Sequence, residues 1–138
     1  MYLLDTNIWL ERLLEQQQSE VVRQLLEQIA PEQLCISDFA LHSIALALTR
    51  RQRQEAWLRF VQDILIDGDV TLIRLQPQDL QAVVESMEQQ NLDYDDAYQY
   101  TIAKKYNLTL VSFDSDFDLT ERGRQTPSQV LLSLASDA

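Results

Sequence analysis

Four short apolar segments alternate with amphipathic helical patterns along the chain, and this alternation limits the possible folds more than any other feature. Strands that alternate with helices indicate βαβ units, in which neighbouring strands run parallel and helices cover both faces of the sheet. The sequence therefore predicts an α/β protein, a three-layer α/β/α sandwich with a mostly parallel central sheet. The predicted strands are Tyr2–Leu4, Leu34–Ser37, Val70–Leu75 and Thr109–Ser112. The helical patterns cover residues 21–29, 57–65, 80–87, 93–106 and 128–134.

The composition favours one domain, residues 1–138. Of the 138 residues 46% are hydrophobic, which is enough to bury a core. Two glycines and three prolines favour long helices over a β-sandwich or a disordered chain. The single cysteine, Cys35, has no partner for an intrachain disulfide, which is typical of a reducing cytosol. No apolar run approaches the ~18 residues that span a bilayer, so we expect a cytoplasmic protein without membrane contact.

The chain is strongly acidic, with a formal net charge of −11, and on average such a charge repels nucleic acid and anionic membranes. A polyanionic substrate would need a local basic patch, a metal ion or the cations of a partner. Arg50, Arg51 and Arg53 form one such basic run. The run could bind an RNA backbone, or it could be a solvated connection between helices.

Aspartates follow two of the predicted strands and open one helix. Asp5 comes directly after the first strand, and Asp114 and Asp116 follow the last one. Asp96 lies at the start of the helical pattern that begins near residue 93. In an open α/β sheet, ligands bind in the crevice outside the carboxyl ends of the parallel strands. Carboxylates gathered there repel one another unless a hard cation lies between them, so the pattern indicates an Mg²⁺ or Mn²⁺ site and metal-dependent phosphodiester chemistry.

Each aspartate taken alone also has a structural interpretation. Asp5 could cap the helix that follows it, and Asp95 and Asp96 would both favour the dipole of a first helical turn. The residues after the last strand could form an ordinary acidic turn. In the functional interpretation, Asn7 and Ser112 orient the neighbouring carboxylates by hydrogen bonds.

Three sequence blocks together resemble the PIN-domain ribonucleases, the family that contains the VapC toxins of toxin–antitoxin pairs. The first block is the opening Leu-Leu-Asp-Thr-Asn-Ile, the second is the helix start Asp96-Ala97, and the third is Leu-Val-Ser-Phe-Asp-Ser-Asp-Phe, which ends at Phe117. The separation of Asp96 from Asp114 is also similar to that of the toxins. The likeness extends from Tyr2 to about Phe117, although only these blocks are specific.

The resemblance implies a fold, a chemistry and partners. It implies an α/β/α sandwich and an endoribonuclease that hydrolyses RNA with Mg²⁺ or Mn²⁺ at Asp5, Asp96, Asp114 and Asp116. It also implies a small antitoxin as partner, and it makes a homodimer a reasonable expectation.

One position departs from the family pattern. The family places a glutamate on the helix after the second strand, six residues beyond a serine like Ser37, and here that position is Ser43. His42, the single histidine, could replace the glutamate as a ligand or proton carrier, or it could be a structural helix residue. The missing carboxylate leaves an alternative function open: a PIN-like domain with weakened catalysis that acts as a nucleic-acid or protein binding module.

Overall fold

A computed structural model describes residues 1–137, and in that range strands and helices alternate as the sequence predicts. The four strands are β1 (Tyr2–Leu4), β2 (Leu34–Ser37), β3 (Thr71–Ile73) and β4 (Thr109–Val111). The seven α-helices are α1 (Thr6–Leu13), α2 (Ser19–Gln28), α3 (Asp38–Arg50), α4 (Gln54–Phe60), α5 (Leu80–Gln90), α6 (Tyr94–Tyr106) and α7 (Pro127–Ser136). Short 3₁₀ turns lie at Pro31–Gln33, Pro77–Asp79 and Ser115–Leu119, and a π-helical turn lies at Val61–Ile66.

The four strands form one sheet in the order β3-β2-β1-β4, and all three pairings are parallel. Parallel strands place their carboxyl ends at the same edge of the sheet. Because β1 lies between β2 and β4, the residues that follow β1 are flanked by those that follow its two neighbours. The aspartate-bearing turns therefore converge, as the strand pattern predicted.

Two apolar cores, one on each face of the sheet, make the fold a three-layer sandwich. Leu3 and Leu4 of β1 point into opposite cores, because successive side chains of a strand alternate between faces. Helices α1 to α4 and α7 cover one face, and α5 and α6 cover the other. Buried side chains on the first face include Ile8, Trp9, Val22, Leu25, Ile44 and Val130. Those on the second face include Val83, Ala97, Ile102, Leu110 and Phe117.

Strand β3 is shorter than the predicted Val70–Leu75. Among residues 1–137 it is an edge strand that pairs with β2 alone, and the register ends where Ser37 pairs with Ile73. Ser37 is also the N-cap of α3, since its hydroxyl accepts a hydrogen bond from the amide of Ala40 at 2.9 Å. The ladder therefore stops at the residue that begins the next helix. No helix among residues 1–137 is both long enough and apolar enough to cross a membrane.

Gly68 follows the helical segment that periodicity predicts over residues 57–65. The structure continues α4 as the π-helical turn Val61–Ile66 rather than as regular α-helix. A Cβ at Gly68 would lie 2.6 Å from the carbonyl oxygen of Ile64 and closer still to that of Asp63. The chain can therefore leave the turn only because this residue has no side chain.

Gly68→Ala should lower the free energy of unfolding by about 2–3 kcal/mol, because the new methyl group overlaps backbone that cannot move away. Gly123→Ala is the matched control. A Cβ added at Gly123 would meet no described atom within 4 Å, but the backbone φ there is +67°. Only the left-handed backbone therefore opposes this substitution, at a cost of about 1 kcal/mol. Urea unfolding of both variants measures the difference. Equal losses would contradict a close approach at Gly68.

Candidate metal centre

Asp5 is buried at the carboxyl end of β1, and three hydrogen bonds fix its carboxylate. Oδ1 accepts from the amide of Thr6 at 2.9 Å and from Nε2 of Gln99 at 3.1 Å. Oδ2 accepts from the hydroxyl of Ser112 at 2.7 Å. Asp5 is thus the N-cap of α1, as its structural interpretation has it, and its carboxylate also belongs to a polar network.

Ser112 connects the ends of β1 and β4. Its hydroxyl donates to Asp5 and accepts from Nδ2 of Asn7 at 3.2 Å and from the amide of Asp114 at 3.0 Å. A hydroxyl has one proton to donate and two lone pairs, so its hydrogen-bonding capacity is filled. The amide of Phe113 in turn donates to Oδ1 of Asn7 at 3.2 Å. Asn7 and Ser112 therefore hold the acidic turn after β4 against the start of α1. Ser112 bonds directly to a carboxylate, whereas the Asn7 side chain contacts Ser112 and Phe113 rather than a carboxylate.

Three carboxylates form a tight cluster beside Asp5. Asp96, Asp114 and Asp116 each present one oxygen, and these three oxygens lie within 4.8 Å of one another. Asp93 caps α6 through the amide of Asp96, at 3.0 Å, so the Asp96 side chain is free to face the cluster. Asp5 lies outside the trio but lines the same hollow as Asp96 and Asp114.

The hollow has a volume of about 270 Å³ and is closed on one side by α1 and on another by α3. Ser43 of α3 faces it, so the position of the family glutamate does lie at the site. His42 is exposed and does not line the hollow. Its lining residues are Asp5, Thr6, Asn7, Leu10, Phe39, Ser43, Asp95, Asp96 and Asp114.

Two of the carboxylates, those of Asp96 and Asp5, have raised pKa values. Burial, and then the charges of Asp114 and Asp93, raise the pKa of Asp96 to about 7. Burial also raises the pKa of Asp5, although its hydrogen bonds act in the opposite direction. Converging carboxylate oxygens, with no thiolate or imidazole among the lining residues, are the donors that Mg²⁺ and Mn²⁺ prefer. The residues present therefore fit a hard divalent cation.

The sequence comparison agrees with this geometry. Residues 2–123 match the family model described as PIN domain. The chain belongs to the PIN domain family. Among curated proteins, no relative matches it.

Solved structures share the PIN fold over nearly the whole chain. A toxin–antitoxin complex from Klebsiella pneumoniae has 20% identity and a TM-score of 0.75, covering 92% of this chain and 98% of the other. The Sarcin-Ricin loop cleaving toxin VapC20 from Mycobacterium tuberculosis has 16% identity and a TM-score of 0.75, with 88% and 96% covered. FitAcB from Neisseria gonorrhoeae has 22% identity and a TM-score of 0.73, with 93% and 99% covered.

Gln99 is a member of this PIN site that sequence reasoning missed. It is 1% exposed, and its amide reaches Asp5 from the middle of α6. A polar residue three positions after Asp96, inside a run of buried residues, was the available signal. Asp38, the acid nearest to Ser43 on α3, accepts a hydrogen bond from the hydroxyl of Tyr98 at 2.9 Å and does not line the hollow.

None of the three residues of the arginine run lines the hollow. Arg50, Arg51 and Arg53 are exposed at the end of α3 that is opposite Ser37. Thirteen helical residues separate the two ends, or about 20 Å at 1.5 Å per residue. An extended polyanion could contact both ends of α3, but a single phosphate could not.

The stability of the metal-free PIN domain should depend on pH through Asp96. The folded pKa lies above the ordinary value of 3.8, so this group stabilises the fold fully below about pH 4 and loses that contribution as the pH rises through 7. Urea unfolding with chelator present, between about pH 4 and pH 8, should show a shallower dependence in Asp96→Asn than in the wild type. Asp63→Asn, an exposed residue outside the site, is the control and should keep the wild-type profile. Parallel profiles for wild type and Asp96→Asn would contradict the assignment.

Ser43→Glu should strengthen Mn²⁺ binding about tenfold or more, because it returns a carboxylate to the side of the hollow that α3 forms. Titration calorimetry measures the affinity. His42→Glu adds the same charge one residue away on the exposed face and should give a much smaller gain. Equal gains would show that the added charge acts at long range rather than as a ligand.

Proposed function

We propose that this PIN domain is a metal-dependent endoribonuclease that hydrolyses RNA phosphodiester bonds with Mg²⁺ or Mn²⁺. The observation that carries the proposal is the meeting of three carboxylate oxygens, from Asp96, Asp114 and Asp116, within 4.8 Å of one another. These residues come from α6 and from the turn after β4, which is 18 positions further along the chain. Fold stability does not require like charges to converge in this way, whereas a bound cation does.

The fold relatives support a role as the toxin of a type II toxin–antitoxin pair. One neighbour is a toxin–antitoxin complex, and another is a Sarcin-Ricin loop cleaving toxin. A third is VapBC2 from Rickettsia felis bound to a DNA fragment from its promoter, with a TM-score of 0.68 and 18% identity. We therefore propose a small antitoxin as a partner of this chain.

In this proposal Asp96, Asp114 and Asp116 hold the cation, with Asp5 beside them. The cation would neutralise charge on the scissile phosphate and help to activate water for in-line attack. Asp96 or Asp114 orients the attacking water through a carboxylate oxygen. Ser112 keeps Asp5 and the backbone of Asp114 at fixed distances, so that the carboxylates need not reorganise during the reaction.

Two surfaces complete the proposal. Arg50, Arg51 and Arg53, at the end of α3 that is opposite Ser37, contact the RNA backbone and offset part of the repulsion from an acidic chain. Leu58 and Ile66, each 64% exposed on α4 and the π-helical turn that follows it, provide apolar surface for an antitoxin or for a homodimer.

One observation favours the second candidate function, a binding module with weakened catalysis. α3 contributes Ser43 to the hollow, where the family glutamate would add a carboxylate. Fewer carboxylates mean a weaker hold on the cation, yet Mg²⁺ often binds through one or two carboxylates plus water and substrate oxygens. The remaining aspartates therefore favour the nuclease.

Digestion of single-stranded RNA by the purified protein tests the proposal. Cleavage should require Mn²⁺ or Mg²⁺, stop with chelator, and fall at least 100-fold in Asp96→Asn, which removes one charge from the cluster without changing the side-chain shape. Asp63→Asn makes the same chemical change outside the hollow and should cleave at the wild-type rate.

The outcomes separate the two candidate functions. Cleavage that survives chelator or Asp96→Asn would contradict a metal-dependent mechanism at this site. A protein that binds Mn²⁺ and RNA without cleaving would support the binding module instead.

A further inference from the structure

Arg124 makes two contacts on either side of the acidic turn. Its Nη1 donates to the backbone carbonyl of Ser112 at 3.0 Å. Its Nε and Nη2 donate to the two carboxylate oxygens of Asp118, at 2.9 Å and 3.1 Å. The Arg124 side chain is only 13% exposed, whereas its partner Asp118 is 54% exposed. A bidentate arginine–carboxylate pair also fixes the relative orientation of its partners.

Ser112 and Asp118 bracket the segment that carries Asp114 and Asp116. Within the segment, the amide of Asp114 bonds to Ser112 and the amide of Asp116 bonds to Asp114, so both contacts are local. Arg124 joins the beginning of the segment to its end through side-chain hydrogen bonds.

We propose that Arg124 is a positioning residue for the metal centre: it holds the turn closed, so that Asp114 and Asp116 stay within reach of the Asp96 carboxylate. The inference rests on the proposed function, since it assigns the cation of that site to the three carboxylates. It adds a residue outside the three sequence blocks of the family resemblance, and this residue need not touch the cation or the RNA.

The sign of the effect distinguishes this role from a purely electrostatic one. Arg124 is close enough to Asp114 for their charges to interact. A positive charge near a cation site opposes binding of the cation, so its removal should strengthen binding if charge alone matters. If Arg124 instead holds the geometry, its removal should weaken binding in spite of the favourable change in charge.

The chain offers a matched control two residues away. Nη2 of Arg122 donates to the carbonyl of Leu108 and to Oδ1 of Asn107, each at 3.2 Å. Arg122 thus belongs to the same segment and makes similar contacts, but these lie before β4 and not at the acidic turn. Loss of Arg122 removes an equal charge without opening the turn.

Calorimetric titration with Mn²⁺ tests the inference on the full chain. Arg124→Gln should weaken Mn²⁺ binding about 10- to 100-fold, the size expected for residues that support ligands. Arg124→Lys keeps the charge but can hold only one end of the turn, so it should also weaken binding. Arg122→Gln should leave the affinity within about twofold of wild type. Circular dichroism confirms that each variant is folded, and Arg124→Lys serves if Arg124→Gln is not.

Hydrogen exchange of the metal-free protein provides a second readout that does not depend on activity. The amides of Asp114 and Asp116 should exchange faster in Arg124→Gln or Arg124→Lys and at the wild-type rate in Arg122→Gln.

Unchanged or tighter Mn²⁺ binding in the Arg124 variants, or unchanged exchange at both amides, would overturn the inference and leave the proposed function standing. A wild-type protein that takes up no Mn²⁺ would overturn both.

Discussion

The hydrogen bond between the Ser112 hydroxyl and the Asp5 carboxylate is the contact on which the site depends. It joins the ends of β1 and β4 at 2.7 Å and involves residues 107 positions apart in the chain. The Ser112 hydroxyl has no capacity left for another partner. A displacement of either strand end would therefore break a hydrogen bond of this hydroxyl without a replacement. Asn7 of α1 adds a contact to Ser112, and the Thr6 amide of α1 and Gln99 of α6 add contacts to the buried carboxylate itself.

This arrangement of carboxylates costs stability. Asp5 is 7% exposed without a cationic side chain among its hydrogen-bond partners, and the carboxylate of Asp96 faces further negative charge. Burial of such groups opposes folding in the absence of a cation. The two apolar cores on either side of the sheet offset that cost, and the rigid strands they support place the carboxylates. The sheet therefore acts as a scaffold whose carboxyl edge can tolerate repulsion.

The sequence predicted the scaffold and the acidic edge because both depend on local patterns. Alternating strand and helix periodicity identified the parallel sheet, and aspartates directly after strands had to meet at one edge. Counting from Ser37 also placed Ser43 at the hollow. The predicted bounds of β3 were wrong. In the described part of the chain this edge strand pairs with β2 alone, so its length depends on that pairing rather than on its composition.

Side-chain partnerships could not be predicted in the same way. Gln99 bonds to Asp5, which is distant in sequence, and Arg124 bonds to Ser112 across an irregular turn. The residues adjacent to Gln99 and Arg124 in sequence do not indicate these partners. The same limit applies to His42, whose neighbour Ser43 faces the hollow while the histidine faces solvent. The two residues are adjacent in sequence, but their side chains point to different sides of α3.

The parallel pairing of β1 with β4 has a consequence for synthesis of the protein. Strands that are more than a hundred positions apart must find one another before Asp5 can meet Ser112, and such distant pairings form late and slowly. On a translating ribosome, Asp114 and Asp116 are added more than a hundred residues after Asp5. The four carboxylates therefore cannot come together until β4 and the turn after it have been made, so the site assembles late in folding rather than with the first strand.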